Sequence, residues 1–485
     1  MADDQPSTTS PATGLPGIDH IVVLMLENRS FDHMLGYLYA DSGNVSPAGQ
    51  AFEGLSGHES NPDGSGNPVA VYQLASNDPN VYLSPGADPG EGYKPTNDQV
   101  FGTASPAAGA TPTMDGFVTD FASTIGWETE DHWDIVAGTK ATDIMGMFTP
   151  DLLPVLSGLA RGFAVCDHWY ASAPTETMPN RAFACAGTSQ GHMDDKTKKF
   201  TAPSIFGLLT QHQVSWTIYG YNAEPLTRLD FPDTLSAPDS NFGLFTDFQT
   251  AAAAGNLASY VFLEPSWEST GNSQHPNYDV ALGEQFIHDV YEALRGGPAW
   301  ERTLLIVTYD EHGGCYDHVA PPTGATPPDD TPGQDGFDFT RFGLRVPTVL
   351  VSPMIPAGTV FRVPQGTTPF DHTSILKTVE QRWGLPALTA RDAAAPDVSG
   401  VLTLTTPRTD DPLSGVVVPN SANPPPGPTT PSHLLKVQAE LASELPVPST
   451  ATTTSRLHTL RTSDDYRRYI DTRVQEWKAG RSSTR

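Results

Sequence analysis

The feature of this sequence that most constrains its fold is a series of short apolar runs separated by helical patterns. Apolar runs of this length suit strands that are buried on both faces of a sheet. Strands that alternate with helices predict an α/β domain with a mostly parallel central sheet and right-handed crossovers. The predicted strands are "IDHIVVLML" (18–26), "FAVCDHWY" (163–170), "VSWTIYG" (214–220), "YVFLEP" (260–265), "TLLIVTYD" (303–310) and "VPTVLVS" (346–352). The predicted helices include "TPDLLPVLSGLARG", "VALGEQFIHDVYEALRGG" and "HTSILKTVEQRWG".

The chain divides into four predicted regions. Residues 1–16 are expected to form a flexible lead, and 17–402 the main domain. A polar segment within it, about 42–112, is too long for a simple connection and predicts a structured insertion. Residues 403–432 are rich in Thr, Pro and Ser, which is typical of a linker. The tail, 433–485, offers two helices, "HLLKVQAELASEL" and "DDYRRYIDTRVQEWKAG".

Composition narrows the possible partners and compartments. With 27 Lys and Arg against 56 Asp and Glu, the net charge of −29 disfavours nucleic acid as a partner. No apolar run of 18 residues is present, so no transmembrane segment is expected. The first residues, "MADDQPSTTSPATGLPG", lack the basic and apolar regions of a signal peptide, so a cytoplasmic protein is expected. A secreted mature form whose leader has been removed stays open, and the sequence does not indicate an oligomeric state.

Two groups of oxygen donors follow predicted strands. Glu27 and Asn28 come directly after the first strand, and Asp310, Glu311 and His312 come after "TLLIVTY". In open α/β sheets, ligands bind outside the carboxyl ends of the strands. Carboxylate and amide oxygens suit a divalent cation such as Mg²⁺, Ca²⁺, Mn²⁺ or Zn²⁺. The alternative is that each acidic pair is only solvated or caps a helix.

The stretch "ASAPTETMPNRAFACAG" (171–187) places hydroxyl groups beside a predicted helix start. Pro179 suits the first turn and Gly187 the end, so Thr177 is expected at or just before the N-cap. Thr177 would then serve only as a cap, or its hydroxyl would act as a nucleophile, because a helix N-terminus stabilises negative charge. Arg181 would either pair with phosphoryl oxygens or be a surface residue.

Five motifs together are similar to the bacterial phosphoesterase family, which contains C-type phospholipases and acid phosphatases within the alkaline-phosphatase-like superfamily. They are "DHIVVLMLENRSFDHMLGYL", "TMPNR", "EPSW…NSQHPNYDV", "TYDEHGGCYDHVAPP" and "FDHTSILKTVEQRWGLPALTARD", in family order from about 18 to 397. The resemblance implies an alkaline-phosphatase-like three-layer sandwich with a mostly parallel sheet and long loop insertions.

The resemblance also implies a set of site residues. Glu27, Asn28, Asp310 and Glu311 would hold one divalent metal ion, with Thr177 as the metal-bound nucleophile and Thr175 as the rival hydroxyl. His275 matches an active-site histidine that would protonate the leaving group. His372 and His312 also match, although histidines at a helix start or in a glycine turn are often structural. Asn180 and Arg181 of the T-x-P-N-R element would contact the substrate.

Two departures from the family pattern concern histidines. The segment "DPGEGYKPTNDQ" carries Lys94 and Pro95 where relatives often have a histidine, and Tyr278 stands at a second such position. Both changes bear on the number of histidines that contact phosphate. The leading prediction is a metal-dependent phosphodiesterase of phospholipase C type, acting on a phosphate ester with a phospholipid among the candidates. An acid phosphatase and a catalytically impaired metal- or phosphate-binding relative are the alternatives.

Overall fold

A computed structural model describes residues 14–130, 135–196, 199–421, 430–447 and 457–482. Most of the predicted flexible lead and the stretch 422–429 of the predicted linker lie outside these residues. The strands are β1 (His20–Leu26), β2 (Ser60–Pro62), β3 (Pro68–Ala70), β4 (Tyr72–Gln73), β5 (Gly146–Met147), β6 (Ala164–Val165), β7 (Trp169–Tyr170), β8 (Trp216–Gly220), β9 (Phe242–Leu244), β10 (Tyr260–Glu264), β11 (Thr303–Tyr309), β12 (Thr348–Val351), β13 (Thr359–Val360) and β14 (Phe370–Asp371).

Helices connect and cover these strands. They are α1 (Phe31–Leu35), α2 (Tyr93–Phe101), α3 (Phe117–Glu130), α4 (Pro154–Gly162), α5 (Thr177–Ala186), α6 (Ile205–Gln211), α7 (Thr227–Asp230), α8 (Pro232–Ser236), α9 (Phe245–Ala254), α10 (Val280–Arg295), α11 (Thr373–Trp383), α12 (Ala390–Ala394), α13 (His433–Ser443) and α14 (Ser463–Ser482). Short 3-10 turns separate several of them.

The described residues contain a central sheet of eight strands in the order β13-β6-β12-β11-β1-β10-β8-β9. Its strands run parallel except β12, which is antiparallel to both of its neighbours. Every residue of β10 and β11 is buried, so both faces of the sheet are covered, as three layers require. The predicted α/β architecture with a mostly parallel sheet is confirmed.

One predicted strand is wrong in its extent. The segment 163–170 forms two strands of two residues each, and β6 joins the central sheet while β7 pairs with β14 in a separate one. Between them, the carboxylate of Asp167 accepts a hydrogen bond from Arg362 Nε at 2.6 Å and one from the amide of Glu53 at 2.7 Å. A buried carboxylate bound in this way turns the chain, and an apolar pattern does not reveal such a turn.

The insertion and the tail both carry structure. Segment 42–112 contains β2, β3, β4 and α2, and part of it packs in a second hydrophobic cluster with Leu55 and Val100. The tail helices α13 and α14 pack against each other and belong to the main hydrophobic cluster around the sheet. Leu413, within the predicted linker, is also buried in that cluster. Within the described residues, no helix is long and apolar enough to cross a membrane.

Candidate active site

The two predicted donor groups meet because β1 and β11 are adjacent parallel strands. Leu26 at the end of β1 is in register with Tyr309 at the end of β11, so the residues that follow both strands reach one rim of the sheet. The backbone amide of Asn28 donates to Asp310 Oδ1 at 3.0 Å, and the amide of Glu311 donates to the same oxygen at 2.9 Å. The carboxylate of Asp310 therefore ties the two strand ends together.

Asn28 lies at the centre of this rim. Its backbone is left-handed, with φ of 56°, which turns the chain sharply after the strand. Its side-chain Oδ1 accepts a hydrogen bond from Thr177 Oγ1 at 3.1 Å, and its Nδ2 donates to Glu91 Oε1 at 2.5 Å. A single amide thus connects the strand end, the threonine hydroxyl and a carboxylate from the insertion.

Thr177 is the first residue of α5, and the predicted N-cap position is wrong by at least one residue. The cap is Glu176, whose side chain makes no capping hydrogen bond, while Gly187 ends the helix at φ of 71° as predicted. The amide of Met178 is satisfied instead by Asp195 Oδ1 at 2.7 Å. The hydroxyl of Thr177 therefore has no capping bond in the described structure and faces the strand ends, with 2% of the residue exposed.

Thr175 and Asn180 serve the turn that precedes α5. Thr175 Oγ1 donates to the carbonyl of Met193 at 2.6 Å, away from Asn28. Asn180 Nδ2 donates to the carbonyl oxygens of Ala173, Thr175 and Glu176, and its Oδ1 accepts from the amide of Ala173. Within the described residues, both side chains make their hydrogen bonds to backbone groups and none to the donor groups at the strand ends.

Arg181 extends from α5 to the strand ends. Its Nε donates to Asp310 Oδ2 at 2.9 Å, and its Nη2 donates to the carbonyl of Met25 at 3.0 Å. The guanidinium carbon lies 4.6 Å from the centre of the Trp267 ring. Its Nη1 is buried and has no hydrogen-bond partner among the described residues. One nitrogen of this guanidinium is therefore available to a ligand.

The carboxylates at the rim are strongly desolvated. Burial raises the pKa of Glu27, and burial together with the charges of Glu91 and Asp310 raises the pKa of Glu311 well above its usual range. Burial also raises the pKa of Asp310 to about 7, against the effect of Arg181. Glu311 Oε1 is buried without a partner in the described part of the chain. A divalent cation would offset these charges, so the residues present fit one.

The three predicted histidines have different surroundings. His275 Nδ1 lies 2.9 Å from the carbonyl of Pro276, and Nε2 lies 3.4 Å from Glu91 Oε1. Burial acts against the charged ring, but Asp88, Glu91 and Glu27 raise the pKa of His275 well above its usual range. The charged form is therefore favoured.

His312 and His372 are buried and bound to other protein groups. Burial lowers the pKa of His312 to about 3, and its Nε2 lies 2.7 Å from Gln99 Oε1. Burial lowers the pKa of His372 to about 4, and its Nε2 lies 2.5 Å from the carbonyl of Asp310. Neither ring is suited to hold a proton near neutral pH, and His372 supports the backbone of Asp310.

Sequence reasoning missed residues that come from the insertion and the tail. Ligand atoms of Asp88, Glu91 and His275 all lie within 4.8 Å of one another. His433, at the start of α13, places Nε2 3.1 Å from Asp195 Oδ2, and the other oxygen of Asp195 accepts from the Met178 amide in α5, so the tail is connected to α5 through Asp195. The "DPGE" segment was the only signal for Asp88 and Glu91, and nothing in the sequence pattern pointed to His433.

The structure also shows the surroundings of Lys94 and Tyr278, which depart from the family pattern. Lys94 pairs with Asp335 at 3.1 Å on the surface, with 60% of its side chain exposed. The ring of Tyr278 lies 4.7 Å from the ring of His275. At the first position a surface ion pair therefore occurs, and at the second an aromatic contact to His275.

Comparison with known proteins decides the family. The model of the phosphoesterase family matches residues 18–386, which include the strand ends, α5 and His275. The chain belongs to this family. As a member of this family, the chain is a phosphoric-ester hydrolase.

Relatives in this family come from plants and bacteria. The chain is 36% identical over 420 residues to non-specific phospholipase C6 of Arabidopsis thaliana, covering 82% of this chain and 74% of that protein. It is 30% identical over 437 residues to phospholipase C A of Mycobacterium tuberculosis strain H37Rv, covering 81% and 78%. One solved structure is that of a Vibrio parahaemolyticus protein in the alkaline phosphatase superfamily. It is 13% identical to this chain, with a TM-score of 0.33, and the match covers 51% of this chain and 64% of that protein.

Proposed function

We propose that this phosphoesterase is a metal-dependent phosphodiesterase of phospholipase C type that uses Thr177 as its nucleophile. The observation that carries the proposal is the hydrogen bond from Thr177 Oγ1 to Asn28 Oδ1, 3.1 Å long, at the rim where both strand ends meet. The phospholipase C names of the relatives from Arabidopsis thaliana and Mycobacterium tuberculosis support the diester substrate class.

Glu27, Asn28, Asp310 and Glu311, with Thr177 itself, would hold one divalent cation. When bound, the cation supplies positive charge that lowers the pKa of the threonine hydroxyl and stabilises phosphoryl oxygens. All four side chains follow strands of a rigid buried sheet, so their oxygens are held in place before the substrate arrives.

The protein's own groups then perform two displacements. Thr177, as an alkoxide whose proton has left to solvent, attacks phosphorus while the bond to the leaving alkoxide breaks. His275 gives its Nε2 proton to that alkoxide. Water next attacks the phosphorus of the phosphothreonine and gives one proton to His275. The bond between phosphorus and Thr177 Oγ1 breaks, so the phosphate monoester leaves and the Thr177 alkoxide is restored. The free Nη1 of Arg181 and the N-terminus of α5 favour the negative phosphoryl group.

Turnover of two chromogenic esters tests this proposal against its alternatives. Bis-p-nitrophenyl phosphate is a diester and p-nitrophenyl phosphate a monoester, and each is assayed with and without a chelator. We expect faster turnover of the diester, its loss with chelator and its recovery when Ca²⁺, Mg²⁺, Mn²⁺ or Zn²⁺ is added back. A preference for the monoester would support the acid phosphatase instead. No turnover of either ester with any of these ions would support the impaired relative.

A further inference from the structure

A second group of acidic side chains lies beside the proposed catalytic site. It consists of Asp88, Glu91 and His275. We call it the insertion cluster, because Asp88 and Glu91 come from the insertion. Their ligand atoms all lie within 4.8 Å of one another. His275 Nε2 is 3.4 Å from Glu91 Oε1 and 3.8 Å from Asp88 Oδ1. Glu128, a buried residue of α3, lies beside the cluster.

Glu128 is the observation that points to a ligand. Only 1% of the residue is exposed, and its Oε2 has no hydrogen-bond partner among the described residues. Its carboxylate lies against the backbone of Asp88, which places it beside the cluster. Asp88 Oδ1 is likewise buried without a hydrogen-bond partner in the described part of the chain. Leaving such oxygens desolvated and without a hydrogen bond is costly, so a bound cation would stabilise them.

His275 is oriented as a metal-binding imidazole would be. The carbonyl of Pro276, 2.9 Å from Nδ1, can only accept, so Nδ1 carries the hydrogen of the neutral ring. Without a cation, Nε2 carries the proton that faces the carboxylates, and a cation that binds there takes the place of this proton. Histidines that bind metals commonly donate their other nitrogen to a carbonyl in this way. Two ligands about 2.1 Å from one ion are separated by roughly 3 to 3.5 Å, close to the distance from Nε2 to Glu91.

The other carboxylate–imidazole cluster of the described structure provides a contrast. There, Asp32 and Asp317 flank His318, but Arg345 pairs with Asp32 at 2.8 Å and with Asp317 at 3.0 Å. The guanidinium already supplies the positive charge inside that cluster, so no cation is needed. In the insertion cluster, the ion-pair partner of Asp88 and Glu91 is the imidazole of His275, whose Nε2 proton, unlike the charge of a guanidinium, can be exchanged for a cation.

We infer that Asp88, Glu91 and His275, with Glu128 beside them, form a second divalent-cation site. Two carboxylates and an imidazole favour Mn²⁺ or Zn²⁺ over Ca²⁺ or Mg²⁺, which prefer oxygen ligands alone. The side chain of Asn28 lies between the two sites, because its Oδ1 faces Thr177 and its Nδ2 faces Glu91. The inference goes beyond the proposed function and does not depend on the identity of the nucleophile. A cation and a proton exclude each other on Nε2, so an ion bound there withholds the leaving-group proton.

Counting bound Mn²⁺ in the full-length protein tests the second site. Free Mn²⁺ is followed by electron paramagnetic resonance during titration of the metal-free protein. We expect two ions per chain in the wild type and one in Asp88→Asn and in Glu91→Gln, with the other ion retained. Glu128→Gln should weaken the second ion about tenfold or more. Glu130→Gln, an exposed residue on the same helix, should leave both ions in place.

The result that would overturn the inference is a wild type that binds one ion, which Glu27→Gln abolishes. Two ions in both Asp88→Asn and Glu91→Gln, bound as in the wild type, would overturn it equally. Thermal unfolding of the metal-free variants shows that they are folded, and we expect no loss of stability, since each removes a charge from a crowded acidic group. Failure of Thr177 as nucleophile would leave the ion counts unchanged, so the two proposals are separable.

Discussion

At the scale of single residues, what a hydroxyl or an imidazole faces decides its chemistry. Thr175 and Thr177 are two positions apart, yet Thr175 donates to a carbonyl and Thr177 to an amide oxygen at the strand ends. The sequence could place both hydroxyls near a helix start but could not show which one faces inward. The turn held by Asn180 makes that choice.

Replacing each threonine by alanine separates their roles. Thr177→Ala should lower turnover of the diester by roughly 10³-fold or more, because it removes the atom that attacks phosphorus. The fold should persist, because this hydroxyl caps no backbone amide in the described structure. Thr175→Ala is the matched control and should be mild, since it loses one neutral hydrogen bond of about 1 kcal/mol. Steady-state kinetics and circular dichroism measure both effects. The opposite pattern, an inactive Thr175→Ala beside an active Thr177→Ala, would make Thr175 the nucleophile.

The proton-donor role of His275 predicts a dependence on the leaving group. His275→Ala should lower turnover of an alkyl phosphodiester by roughly 10² to 10⁴, the usual span of general acid catalysis. A nitrophenyl ester should lose far less, because nitrophenolate leaves without a proton. Equal losses on the two esters would assign His275 to holding the substrate or the cation. His312 and His372 are poor replacements, since burial lowers the pKa of both.

At the scale of elements, the long buried strands were predictable and the short ones were not. β1, β10 and β11 are largely apolar runs whose residues are all buried except His20, so sequence alone locates them and the donors that follow them. Asp88 and Glu91 sit instead in a loop before α2, and a loop's path depends on the partners it meets. Periodicity carries no information about such partners.

A contact between two helices gives a prediction about pH and stability. Glu284 on α10 accepts hydrogen bonds from the amides of Val155 at 2.7 Å and Leu156 at 3.0 Å, and so caps α4. Burial raises the pKa of Glu284 to about 8, although these hydrogen bonds oppose the shift. A carboxyl whose pKa is higher in the folded than in the unfolded state stabilises fully at low pH. That stabilisation is lost as pH rises from about 4.5 to about 8.

Glu284→Gln should therefore flatten the fall in unfolding free energy between pH 5 and pH 8, by an amount on the order of a few kcal/mol. Urea unfolding at several pH values measures this slope. Glu292→Gln, an exposed glutamate on the same helix, is the control and should keep the slope of the wild type. A Glu284→Gln slope equal to that of the wild type would contradict the account.

At the scale of the whole molecule, distant segments complete one site. The strand ends supply the donors, α5 supplies the threonine, the insertion supplies Glu91, and the tail reaches α5 through His433. The tail helices also share the main hydrophobic cluster. The sequence predicted that these tail helices exist, but their docking depends on long-range contacts that no local pattern encodes.

The central claim is that carboxylates at the ends of β1 and β11 hold the cation that hydrolysis requires. The most direct measurement is metal bound per chain, by elemental analysis, beside diester turnover in Glu27→Gln and Asp310→Asn. Each change removes one anionic ligand, so we predict the loss of one ion per chain and a fall in turnover of about 10²-fold or more in the same sample. Glu301→Gln, exposed just before β11, should change neither quantity. Full metal content with unaltered turnover in both Glu27→Gln and Asp310→Asn would contradict the claim.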